Sequence, residues 1–301
     1  SKNNFMKIFD CFMFYDEKLL LDIRMNTLNE FVDYFVIVES KYFHNGKERK
    51  LKFNINDYSK FKSKIIYVVH DKFSVEMKKV NPNDDHGTYI HKVNYNAHIR
   101  ENDQRNKIID GIKISDENDL ILVSDVDEIP RLDKINLKNI KNKIIMFEQE
   151  IFYYKLNRFL PGFSWFGTKA CKKKNLINPQ WLRNIKNNNY SLLRLDTLFS
   201  RKKYIDKYYI KNGGWHFSNL KNYKELEKKY LNDENHAEYE LQNSSIKKIQ
   251  ENIERRVIPY NYQAKKDSPD RFKETSLTKV DTAVLPEYIR ENIDKFKNWI
   301  I

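Results

Sequence analysis

Glycine and proline are scarce in this chain of 301 residues, seven of each, and cysteine occurs twice. So few glycines and prolines exclude a collagen-like repeat or a flexible linker that would cut the chain in two. Cys11 and Cys171 are too few for a disulfide framework, so a packed core has to carry the stability. A reducing compartment is the expectation, with one bridge left open. No run of about 18 apolar residues occurs, so no helix is expected to span a membrane. The apolar stretch "FMKIFDCFMFY" is interrupted by Lys7 and Asp10 and reads as a strand, not as a signal peptide. A soluble, cytoplasmic protein is expected, with an anchor ahead of Ser1 left open. Walker, GxSxG, GxGxxG and HExxH motifs are absent, as are repeats of solenoid or propeller period.

What is present is a core-forming composition. Hydrophobic residues make up 40% and aromatics 14%, unlike a disordered chain. Lys and Arg number 55 against 42 Asp and Glu, a formal net charge of +13. That balance suits an anionic partner or is only a solvated surface. Neither a basic stripe nor a nucleic-acid module accompanies it, so nucleic acid is not the expected partner.

Along the chain, "KIFDCFMF" reads as a first buried strand, followed by an amphipathic helix with Asp16 and Glu17 at its positive end. "DYFVIVES" and "KIIYVV" read as further strands. A helical pattern over residues 95–114 leads into the strand "LILV". This alternation predicts an α/β fold with a doubly wound, mostly parallel sheet flanked by helices. Ligands of such sheets bind at the carboxyl ends of the strands, where Asp16, Glu17, Glu39, Asp125 and Asp127 all fall. Beyond Pro130, "KIIMFEQEIFYYKL" reads as a strand or hairpin arm and "LPGFSWFGTKACKKK" as a loop. "YSLLRLDTLFS" reads as a strand and "NGGWHFSNL" as a Gly-led turn. Helices dominate the remainder: "NYKELEKKYL", "SIKKIQENIERRV" and "LPEYIRENIDKFKNWI". Residues 1–240 are expected to form the main domain, with 241–301 a helical extension packed on it.

In "SDVDEIP", Asp125 and Asp127 lie two residues apart at the end of a buried strand. Alternate side chains of an extended segment share a face, so both carboxylates can reach one hard cation, Mg²⁺ or Mn²⁺. The competing reading is a polar turn with a helix cap. His216, in "GGWHFS", could complete such a coordination shell or be merely structural. Arg100 and Arg105 suit a phosphate or a neighbouring carboxylate, although spacing alone favours an exposed charged helix. Glu148, Glu150 and Glu238 are candidates for a general base, and spacing does not choose among them.

The segments "LLLDIRMNTLNEFVDYFVIVES", "RENDQRN", "SDVDEIP", "GGWHFS" and "HAEYE", in that order, resemble glycosyltransferase family 17. That family includes the β-1,4-mannosyl-glycoprotein β-1,4-N-acetylglucosaminyltransferases. The resemblance implies a transferase fold of the GT-A type, with Asp127 the principal metal ligand and Asp125 on the metal or the ribose. It makes His216 a further ligand near the diphosphate, sets Glu39 and Ser40 at the uridine site, and places Arg105 and Asn106 behind the metal loop. The expected reaction is a metal-dependent, inverting transfer from a UDP-sugar, UDP-GlcNAc first, to a hydroxyl of a glycan or glycoprotein acceptor. Glu238 is the first choice of base and Glu150 the second. The rival readings are a binding protein of the same fold, a nucleotidyl or phosphoryl transferase and a basic nucleic-acid-binding protein.

Overall fold

The computed structural model describes residues 5–191, 196–221, 224–226, 229, 246–264 and 268–301. β1 (Ile8–Phe14), β2 (Tyr34–Ser40), β3 (Ile65–His70) and β4 (Leu120–Asp125) run parallel in the order β3-β2-β1-β4. In β1, β2 and β4 the apolar residues are continuous because both faces of the sheet are covered. Ile8, Phe12, Phe35, Ile37, Leu120 and Leu122 pack into one core cluster. Their neighbours Phe9, Cys11, Val36, Val38, Ile121 and Val123 pack into the other. Helix α1 (Lys18–Leu28) covers the first face with Leu21, Ile23, Met25 and Leu28, each fully buried. Ile108 of α3 (Ile108–Gly111) and Trp181 and Leu182 of α4 (Pro179–Asn184) cover the second. Each such side chain contributes roughly 1.5–3 kcal/mol of burial. The result is the doubly wound arrangement expected from the alternation.

The sheet continues as β7 (Arg158–Lys172), antiparallel to β4, and then β6 (Ile144–Tyr153), antiparallel to β7. β8 (Lys207–Ile210) and β9 (Gly214–Ser218) pair in turn, both parallel, with β6. β5 (Glu128–Pro130) closes the path antiparallel to β9. The sheet is mixed but mostly parallel. Cys11 and Cys171 are buried free thiols. Among the described residues no helix is long and apolar enough to cross a membrane.

Several local expectations are corrected. The long helix α2 spans His86–Asn106, not 95–114. Asp85 caps it, accepting from the Thr88 amide at 3.0 Å. Its first two turns are too polar to show an apolar stripe. The supposed loop around Trp165 lies inside β7, and "GWHFS" is β9, with the turn just before it. Of the strand expected over 190–200, residues 196–199 form a helical turn instead, α5 (Asp196–Phe199). The helix from "NYKELEKKYL" and the boundary at 240 fall mostly outside the described residues. The helix of "SIKKIQENIERRV" is present as Ile246–Arg255. The last helical stretch is broken into Glu287–Glu291 and Ile293–Phe296, and its Leu285, Ile289 and Phe296 join the main core.

Candidate active site

Tyr15, Asp16 and Glu17 follow β1, and Asp125 ends β4, one strand over. Together with Asp127, Glu101, Lys221 and Trp299 they line a cleft of about 660 Å³ at the carboxyl ends of the strands. One buried arginine shapes its floor. Arg24 of α1 is fully buried and pairs with the equally buried Asp10, through Nη2 at 2.6 Å and Nε at 2.8 Å. Its Nη1 donates to the carbonyls of Asp125 at 3.1 Å, Val126 at 3.3 Å and Glu128 at 2.7 Å. A helix, a central strand and the acidic turn are thereby tied to one guanidinium.

Asp125 is clamped from two sides. Arg105 of α2 reaches it at 3.0 Å and Glu101 at 2.5 Å, while Arg183 of α4 reaches it at 2.9 Å. Arg183 also grips Glu128 with both nitrogens, at 2.7 and 3.0 Å. Burial opposes the Glu128 charge, but Arg183, with help from His216, outweighs it and holds this carboxyl down to about 2. Burial likewise opposes the Arg105 charge, and Glu101 and Asp125 overcome it, keeping the guanidinium above its ordinary value. Glu128 also accepts from the Trp165 indole at 2.6 Å and the Asp125 amide at 2.7 Å. Gly167 is the close-approach position here: a side chain on it would collide with Glu128 and Gln149.

Asp127 pairs with none of the arginines among the described residues. Pairing of β5 with β9 sets Glu128 opposite His216 and brings the His216 Nε2 to 3.4 Å from the Asp127 carboxylate. The pairing depends on Gly214, whose φ of 134° and contact with the Ile129 carbonyl leave no room for a Cβ. The Trp165 ring packs over the imidazole at 5.5 Å between centroids. Burial works against protonation of His216, but Asp127 more than compensates and lifts its pKa above the ordinary value. The other imidazole nitrogen, Nδ1, is buried without a partner among the described residues.

The remaining candidates are scattered. Asn106 accepts from the Gln180 amide at 2.9 Å and so docks α4 behind the clamp. Glu39 is fully buried. It pairs with Arg49 at 3.0 Å and accepts from Tyr67 and two amides, away from the cleft lining. Ser40 bonds His70 at 2.9 Å, and His70 bonds Asp103 at 2.9 Å. All three are buried, so this line braces β2 and β3 against α2. Glu150 lies mid-strand on β6 and lines a separate cavity with Glu148. Strand alternation puts it on the opposite face from Ile151, the partner of His216. Glu238 lies outside the described residues. Arg100 donates to the His44 carbonyl at 2.9 Å. Sequence reasoning missed Arg24 and Arg183. Arg24 carried a signal, a basic residue set among Leu20, Leu21, Ile23 and Met25, all of them buried in α1. Arg183 carried none.

The model of glycosyltransferase family 17 matches residues 1–300. The chain belongs to glycosyltransferase family 17. This glycosyltransferase therefore takes an activated sugar donor and an acceptor. No curated protein matches it. Among solved structures, HddC from Yersinia pseudotuberculosis is similar at 12% identity and a TM-score of 0.32, over 69% of this chain and 92% of that one. The same protein complexed with GMP-PN gives 12% and 0.30, over 68% and 90%.

Whether the cleft fits a metal turns on its donors. Among the described residues no three His, Cys, Asp or Glu side chains converge closely enough to hold a cation alone. Asp125 spends both oxygens on arginines, whereas Asp127 and the half-partnered His216 stand side by side. That set fits a cation with few protein ligands and a shell completed by phosphate oxygens and water, the habit of Mg²⁺ and Mn²⁺ with phosphorylated substrates.

Proposed function

We propose that this glycosyltransferase moves a sugar, GlcNAc first, from a UDP-sugar to a hydroxyl of a glycan or glycoprotein acceptor, with inversion and with Mn²⁺ or Mg²⁺. The observation that carries the reading is the unequal acid pair. Asp125 is fixed by two arginines while Asp127, beside His216, faces the cleft with no arginine partner among the described residues.

In this reading Asp127 and His216 hold the cation, and Asp125 with Arg105 and Arg183 keeps the turn rigid as charge moves. The bound cation would neutralise the charge that grows on the departing diphosphate. Lys221 and Lys229, which line the same cleft, add positive potential at no reorganisation cost. Tyr15, hydrogen-bonded to His44 and to Gln104, makes the polar end that receives the nucleoside. Glu238 takes the proton of the acceptor hydroxyl. Glu150, in its separate cavity, is the second choice.

UDP release from a panel of UDP-sugars with Mn²⁺, Mg²⁺ or EDTA tests this without knowledge of the acceptor. Release from one donor that is lost with EDTA and in Asp127→Ala is expected. Release that is insensitive to both would remove the metal from the mechanism.

A further inference from the structure

Three of the four tryptophans spend their indole N–H on the protein. Trp165 donates to Glu128, Trp181 to the Arg201 carbonyl and Trp215 to the Val284 carbonyl. Trp299 has no such acceptor among the described residues, and it lines the cleft. Its backbone, by contrast, is firmly held. The Leu156 amide donates to the Trp299 carbonyl at 2.8 Å. Asn157 brackets Ile301 at 2.9 and 3.0 Å, and Lys155 reaches the Asn298 carbonyl at 2.6 Å. A segment distant in sequence is thus stitched to the turn after β6, and the stitching delivers one indole to the cleft wall.

The order of the strands says which part of a substrate meets it. Tyr15 follows β1, His44 follows β2, and Asp127 follows β4, which Asp125 ends. The turn that holds Trp299 follows β6, farther from β1 along the sheet than β4 and directly beside β9, which carries His216. A linear nucleotide-sugar with its diphosphate at Asp127 and its nucleoside towards Tyr15 points its sugar towards Trp299. A pyranose presents a C–H face and a ring of hydroxyls. An indole with a free N–H matches both, by packing and by one hydrogen bond.

We propose that Trp299 is a specificity-determining residue that contacts the transferred sugar of the donor. This rests on the nucleotide-sugar reading above. The test is calorimetry with UDP and, separately, UDP-GlcNAc, each with Mn²⁺, on the wild type, Trp299→Ala and Trp299→Phe. Thermal melts serve as the check on folding. Trp299→Ala should weaken UDP-GlcNAc by about tenfold, the loss of one aromatic contact and one hydrogen bond, and leave UDP unchanged. Trp299→Phe should recover part of the loss, because it restores a ring without the donor. Asn157→Ala, which frees the segment, should give the same selective loss. Equal weakening of both ligands, or of neither, overturns the role of Trp299 while leaving the donor reading standing. A wild type that binds neither ligand overturns the donor reading itself, and this inference with it.

Discussion

Asp125 with Asp127, and Glu148 with Glu150, share one spacing and little else. Each pair is an acid-x-acid, the first running from the end of β4 into a turn and the second within β6, and each borders a cavity, of about 660 and 360 Å³ respectively. The first pair stands where a buried parallel strand ends, with Arg24, Arg105 and Arg183 beneath it. The second stands mid-strand on β6, where Glu148 accepts from the Ser164 hydroxyl at 2.7 Å and Lys211 is the cation in the lining. Spacing therefore says only that two carboxylates can share a face. Position in the sheet and the supply of counter-charge decide whether they become a rigid, charged site.

The comparison can be broken at several depths. Asp127→Ala should cut UDP release by about a thousandfold, the scale of removing a group that stabilises developing charge; a small loss would put the two acid pairs on equal footing. Arg24→Ala should destabilise the fold by about 3–5 kcal/mol, because Asp10 is left buried and unpaired. Denaturant unfolding would measure that, and an unchanged midpoint would mean the turn does not depend on this anchor. Arg183→Lys should lower kcat about 10–100-fold with a near-normal melt, since an ammonium cannot grip Asp125 and Glu128 together. Steady-state rates with the best donor would decide it.

A smaller effect concerns what holds Arg183. Lys169 of β7 donates to the carbonyls of Arg183 and Ile185 at 2.7 and 2.6 Å, and burial pushes its amine down to about 7. The folded chain thus releases this proton at lower pH than the unfolded chain does. Between about 7 and the ordinary lysine value the unfolded state binds more protons, so stability should rise with pH across that window. Lys169→Met should flatten the rise in a series of melts. Smallest of all, Glu148→Gln should leave UDP release close to wild type. A large loss there would move the chemistry into the second cavity.

Much of the parallel half was legible. Continuous apolar runs alternating with helical patterns require a sheet covered on both faces, and β1, β2 and β4 deliver one. The acids fall at strand ends for the same reason, since a carboxylate cannot sit within those runs unless an arginine meets it, as Arg24 meets Asp10. The second half was less legible. β7 carries glycine, proline and aromatics and resembles a loop locally, but its partners β4 and β6 hold it extended. The start of α2 is polar and shows no stripe, so periodicity placed the helix start about nine residues late, at 95 instead of His86.

The sequence by itself determined the alternation, the place of the Asp-x-Asp turn and, through motifs in a fixed order, the family. Only the tertiary structure decided which acid stays open to the cleft. That choice depends on Arg105 and Arg183, which come from helices far apart in the chain and meet only when both helices cover one face of the sheet. The same holds for Trp299, whose place at the cleft is set by hydrogen bonds to residues 155–157. Contacts between residues distant in the chain leave no periodic trace in either segment, because each partner's local pattern is satisfied without the other.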